Sequence, residues 1–196
     1  MIFRKMEASD LKAVVSIHTQ AFEGFFLTRM GPAFLLAYYQ SVLSFEASIA
    51  LVAHDNKTDR VLGFAVGFSD PAGFYALFGR QRKRILPAIL MAVLRDPGLV
   101  PQILRNIRRV EAQAQQPVSA VELSSIAVVA PGRGIGGALL EAFADKARSE
   151  GARRLILTTD AMGNDPVREF YEAHGFYLEG TETRGSRQLC CYSRKL

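Results

Sequence analysis

Apolar positions recur along this chain in two rhythms, one helical and one alternating, and their order outlines a fold. Ile2 to Arg4 reads as a short strand, and after the polar start Ser9-Asp10 the residues Leu11, Val14, Val15 and His18 recur at helical spacing. His18 is therefore expected to be a packing residue. A Phe-rich connector, Phe22 to Leu27, leads to Gly31-Pro32, a stop followed by a residue suited to a first helical turn, and Leu35, Tyr38, Tyr39 and Val42 continue on one face. Ser48 to His54 and Val61 to Ser69 are β-rich runs around a polar cluster at 55–60, so they should pair antiparallel. The chain opens βααββ.

Residues 73–116 read as helical in two pieces broken at Asp96-Pro97-Gly98, with Ile85, Ile89 and Val93 at intervals of four. A strand pattern returns from Ala120 to Val129. It is followed by a glycine cluster, a helix with Leu139, Leu140, Phe143 and Ala147 on one side, and a strand from Leu155 to Thr159. Asp165-Pro166 reads as N-cap and first-turn proline of another helix, whose apolar face holds Val167, Phe170 and Tyr171. The rest, Gly175 to Leu196, reads as two strands around Arg184-Gly185-Ser186. No repeat or low-complexity linker interrupts the pattern.

Length and composition narrow the class. At 196 residues, 49% apolar and 22% charged, the chain suits one globular domain over 1–196 and excludes disordered, collagen-like or disulfide-scaffold chains. The first ten residues carry Arg4, Lys5, Glu7 and Asp10 where a signal peptide needs an apolar run, and no stretch approaches ~18 uninterrupted apolar residues. The expected location is the cytoplasm. Cys190 and Cys191 are adjacent in a strand, where neighbouring side chains point to opposite faces, and His18, His54 and His174 are scattered. That argues against a disulfide, a metal site and a thiol enzyme.

The net charge of +5 is unevenly placed. Between Ala72 and Gln116 eight basic residues stand against two acidic ones, so the basicity belongs to the 73–116 insertion. Its run Arg80-Gln81-Arg82-Lys83-Arg84 is expected to be a solvated helix face, with an anionic partner or a membrane surface as the less favoured reading. Nucleic acid is not expected as a partner.

The stretch from Ile126 to Leu140 runs from a strand through Gly132, Gly134, Gly136 and Gly137 directly into a helix. Glycines let backbone approach an anion closely, and the unpaired N–H groups of a helix start point at it. Phosphate binding is the expectation. Gly132, Gly134 and Gly137 also satisfy G-x-G-x-x-G, with Asp160 at the end of the next strand where a dinucleotide fold places its ribose carboxylate. An NAD(P)-binding protein is therefore one alternative. Against it, only 36 residues follow Asp160, too few for several more parallel βα units.

Arg133-Gly134-Ile135-Gly136-Gly137-Ala138 matches R/Q-x-x-G-x-G/A. The run Asn164-Asp165-Pro166-Val167-Arg168-Glu169-Phe170-Tyr171-Glu172-Ala173-His174-Gly175-Phe176 matches N-x-x-A-x-x-F-Y-E-x-x-G-F, with Val167 in place of Ala. With both motifs in this order, Val121 to Phe176 resembles the GNAT superfamily of acyl-CoA-dependent N-acyltransferases. The resemblance implies an α/β (α+β) domain with a mixed, mostly antiparallel sheet flanked by helices, to which 73–116 is added between the third and fourth strands. It implies acetyl-CoA as cosubstrate, no metal, and direct acetyl transfer to a primary amine of a small molecule or peptide. It also leaves room for a homodimer and for a non-catalytic acyl-CoA-binding module.

By the same resemblance the loop from Arg133 to Ala138 holds the CoA pyrophosphate, in either of two registers two residues apart. Ile126, Ala127 and Val128 offer backbone to the pantetheine arm beside a splayed fourth strand, and Asn164 contacts that arm or orders the helix after it. Glu122 stands where several members place a general base, with Asp160 or water as the alternatives. Tyr171 matches the tyrosine that protonates the departing sulfur. The acceptor pocket is expected to draw on the connector, at Phe25 and Phe26, although packing is the favoured reading of these rings.

Overall fold

The computed structural model describes residues 1–104, 119–185 and 187–196, apart from the Arg82 side chain. In chain order the elements are β1 (Ile2–Lys5), α1 (Leu11–Ala21), α2 (Phe26–Arg29), α3 (Pro32–Ser44), β2 (Ser48–Asp55), β3 (Arg60–Phe68), α4 (Pro71–Arg80) and α5 (Arg82–Arg95). Then follow β4 (Ala120–Val128), α6 (Ile135–Ser149), β5 (Arg154–Asp160), α7 (Asp165–Ala173), β6 (Tyr177–Arg184) and β7 (Arg187–Lys195).

The seven strands form one sheet in the order β1-β2-β3-β4-β5-β7-β6. Every neighbouring pair is antiparallel except β4–β5. A doubly wound dinucleotide fold needs a mostly parallel sheet, so this topology removes the NAD(P) reading. Strand alternation splits the core into two layers. Ile49, Leu51 and Ala53 of β2 and Ala65 of β3 meet Leu139, Leu140 and Phe143 of α6 on one face. Ala50 and Val52 of β2 and Phe64, Val66 and Phe68 of β3 meet Leu11 and Val14 of α1 and Leu35, Tyr38 and Tyr39 of α3 on the other.

A bulge in β4 changes which face its side chains serve. Val66 pairs with Ser125 and Gly67 with Leu123, which leaves Ser124 as the extra residue. Before it, Val121 and Leu123 belong to the α6 layer; after it, Ala127 belongs to the α1–α3 layer. Gly67 is required at this place, because a Cβ there would lie 2.2 Å from the Glu122 carbonyl oxygen and 2.5 Å from Phe143 Cζ.

Three sequence expectations are corrected. The inserted helices begin at Pro71, with the Asp70 side chain accepting from the Gly73 amide, and they break at Gln81 as well as at Asp96. The apolar spacing runs through Gln81 without a gap, but this residue leaves helical geometry, and its side-chain oxygen accepts from Ser41 of α3. The last part of the insertion, 105–116, lies outside the described residues. Asn164, not Asp165, caps α7, and Asp165 is its first helical residue. The connector Phe22 to Leu27 also ends in helix, the short α2.

Candidate active site

The parallel pair β4–β5 is joined only at its start, where Ala120, Val121 and Glu122 face Arg154, Leu155 and Ile156. Beyond that point β4 continues to Val128 along β3, and β5 continues to Asp160 along β7, with no pairing between them. The splay opens a cleft of about 2190 Å³, lined on its two sides by Ser125, Ile126, Ala127 and Val128 and by Thr158, Thr159 and Asp160. A single small-molecule pocket is usually ~300–1,000 Å³, so this cleft has room for two reactants. The edge of β4 facing it offers backbone N–H and C=O groups to an extended ligand, in the manner of an added strand.

At the end of β4 the glycine loop turns into α6. Gly134 takes φ +72° as the N-cap, a left-handed conformation that costs a side chain about 1–2 kcal/mol. A Cβ at Gly132 or Gly134 would meet nothing within 4 Å; these two are glycine for conformation and leave the approach to the helix open. The Ala138 amide donates to the Gly134 carbonyl. The helix start therefore presents the amides of Ile135, Gly136 and Gly137, and the dipole of a fifteen-residue helix lies behind them. Gly137 also serves packing, because a Cβ there would lie 2.4 Å from His174 Nε2; its bareness lets α7 sit against α6. Arg133 is exposed beside the loop.

Across the cleft, α7 brings Tyr171 to its wall. The ring is 8% exposed and sits among Phe170, Phe176 and Tyr192. Burial pushes its phenol above the ordinary value, so it holds its proton. Asn164 donates from Nδ2 to Thr159 Oγ1 at 2.7 Å, which ties the start of α7 to the end of β5.

Glu122 lines the same cleft. Its neighbours Val121 and Leu123 point into the α6 layer, so alternation turns Glu122 to the opposite face, where its charge is felt at Tyr38. Tyr171 belongs to the α6 layer. The carboxylate and the phenol thus approach the splay from opposite faces of the sheet. Asp160, the other carboxylate here, is held by Arg187 through Nε at 2.8 Å and Nη2 at 2.7 Å.

Arg187 went unmarked in the sequence. Besides gripping Asp160, its guanidinium lies 5.0 Å from the centroid of the Phe25 ring, and so links the α1–α2 connector to the far side of the cleft. Phe25 and Phe26 both line the cleft, and Phe26 also packs against the cluster of Met30, Phe34 and Ala88. His18 is 3% exposed, as the helical spacing predicts. Its Nδ1 lies 2.7 Å from the Tyr39 hydroxyl, and burial lowers its pKa to about 4.

Residues 110–176 match the family model described as Acetyltransferase (GNAT) family. No curated protein matches the chain in sequence. Among solved structures, the ribosomal-protein-alanine N-acetyltransferase of Brucella melitensis is 20% identical, with all of both chains covered and a TM-score of 0.64. The PaiA N-acetyltransferase of Thermoplasma acidophilum, in complex with coenzyme A, is 14% identical, with 100% of this chain and 98% of that chain covered and a TM-score of 0.62. An N-acetyltransferase of Staphylococcus aureus Mu50 is 18% identical over 99% and 97% of the two chains, with a TM-score of 0.61. At such identities the likeness is one of fold.

Proposed function

We propose that this chain is a GNAT acetyltransferase, as the match of residues 110–176 to that family model supports, and that it moves the acetyl group of acetyl-CoA directly to a primary amine. The observation that carries the reading is the splayed β4–β5 pair ending in a glycine-started helix. That arrangement suits a long cosubstrate with an extended, amide-bearing arm at one end and phosphates at the other. In it, the free amides of Ile135, Gly136 and Gly137 meet the pyrophosphate, and the charge of Arg133 stands beside them. The backbone of Ile126, Ala127 and Val128 carries the arm. The Ala138 amide is already used within α6, which narrows the loop's contact to the residues before it.

The cosubstrate supplies an activated thioester; the residues supply position and proton transfer. An amine of pKa ~10.4 arrives protonated at neutral pH. Glu122, on the acceptor side of the sheet, takes one proton directly or through water. A second proton leaves the nitrogen as the C–N bond forms and the C–S bond breaks, and it balances the proton gained by the sulfur. Tyr171 presents its O–H to that sulfur. Because its phenolate would be buried, the proton it gives must be replaced as it leaves. Glu122 is taken as the base for its place on the acceptor side of the sheet; Asp160 is engaged with Arg187 through both oxygens.

Thiol release from acetyl-CoA, followed with a thiol-reactive dye beside mass analysis of the product, tests the reading across a panel of amines. One acetamide per released thiol, and release only with amine present, is the expected result. Tight CoA binding with no amine-dependent release would make the chain a binding module instead.

A further inference from the structure

The acceptor half of the cleft carries more chemistry than its position alone. It is bounded by Phe22 and Phe25 of the connector region, Phe78 of α4, and Ile85 and Ile89 of α5. The insertion thus supplies one wall of the reaction chamber. Arg80 of its basic run lines the cleft, and at the turn after it Arg84 donates to Gln40 and Gln81 accepts from Ser41, both on α3.

The acidic inventory of the cleft is short. Glu122 and Asp160 are the only carboxylates among the described lining residues, and Asp160 is engaged by Arg187. The other charged lining groups are basic: Arg80, Arg184 and Arg187. A polycation such as a polyamine or aminoglycoside needs several carboxylates and would meet guanidinium groups here. His18, on the connector side, is wedged against Phe22 and Phe64 and is neutral at pH 7. Its Nε2 is buried without a partner among the described residues. The tautomer that lets Nδ1 accept from Tyr39 leaves Nε2–H as a lone donor. Around that donor the wall is largely apolar, with Phe22, Phe25, Phe78, Ile85 and Ile89 lining it.

Building on the acetyl-transfer reading, we propose that the acceptor is a primary amine carried on a bulky apolar body, an arylalkylamine or a long or branched alkylamine. The body rests on Phe22, Phe78, Ile85 and Ile89, and the nitrogen reaches Glu122. Apolar area removed from water then supplies the affinity, at about 3- to 4-fold per methylene.

The test measures kcat/KM at fixed acetyl-CoA for a series of straight-chain alkylamines, an arylalkylamine, a polyamine and an aminoglycoside. The expected result is a rise of about 3- to 4-fold per added methylene until the chamber is full, with the polyamine and aminoglycoside about 100-fold or more below the best apolar amine. Ile89→Asp should lower kcat/KM for the apolar amines about 10-fold or more, while the thermal shift with acetyl-CoA stays unchanged. A flat series, a preference for the polycations, or an Ile89→Asp variant indifferent to amine type overturns the acceptor class and leaves acetyl transfer standing. No turnover of any amine overturns both.

Discussion

In the proposed mechanism Glu122 and Tyr171 divide the reaction between the two faces of one sheet, and each role has its own kinetic signature. Glu122→Gln keeps the shape and removes the base, so kcat/KM should fall about 100-fold or more and the rise of wild-type activity with pH should flatten. Unchanged activity across pH would remove Glu122 from the mechanism. Tyr171→Phe should lower kcat with little change in the KM for acetyl-CoA, since the ring packing survives and only the O–H is lost; the opposite split would assign Tyr171 to binding. His18 makes a third claim, on stability. Its pKa is about 4 in the fold, against ~6.5 when unfolded. Below pH ~6.5 the unfolded chain gains a proton that the native state refuses, so the stability His18 supports is complete above ~6.5 and drains as pH falls to about 4. Up to about 3 kcal/mol is at stake. Urea titrations at several pH values should show this loss in wild type and a smaller one in His18→Gln, which keeps a polar neighbour for Tyr39 but does not titrate.

At the scale of elements, the bulge in β4 and the splay of β4 from β5 turn an ordinary sheet into a reaction cleft. Gly67 holds the bulge in place. Gly67→Ala sets a methyl against the Glu122 carbonyl and Phe143, neither able to yield cheaply, and should cost about 3 kcal/mol or more. A chain of this size loses about 2–4 °C per kcal/mol, so thermal unfolding should begin about 6–12 °C lower; an unchanged Tm would mean that β3 and β4 can slide to make room. Such features were not legible in the sequence. The glycine loop and the α7 motif are local patterns, and both stand where the periodicity put them. The bulge depends on which residue of β3 faces which residue of β4, a long-range pairing that periodicity does not encode. The break at Gln81 escaped for a like reason, since the residue that stabilises it, Ser41, lies on another helix. Arg187 was hidden in a terminal strand of mixed polarity, and only the pairing of β5 with β7 brings it to Asp160 and Phe25.

For the whole molecule, the order β1-β2-β3-β4-β5-β7-β6 with a single parallel pair explains why a literal G-x-G-x-x-G serves no dinucleotide here. The same three glycines are divided between conformation, at Gly132 and Gly134, and helix packing, at Gly137. The mostly antiparallel sheet agrees with the sequence expectation, as does the opening βααββ order once the short α2 is added to it, and no described helix is long and apolar enough to cross a membrane. The central claim is that the cleft between β4 and β5 is built for an acyl-CoA. Thermal unfolding with acetyl-CoA, CoA, NADH and NADPH in parallel tests it most directly, because a ligand at ~100 times its Kd stabilises the fold by about 2.7 kcal/mol. A rise in Tm with the two CoA compounds and none with the nicotinamide nucleotides is the expected result; a rise with a nicotinamide nucleotide alone would contradict the account.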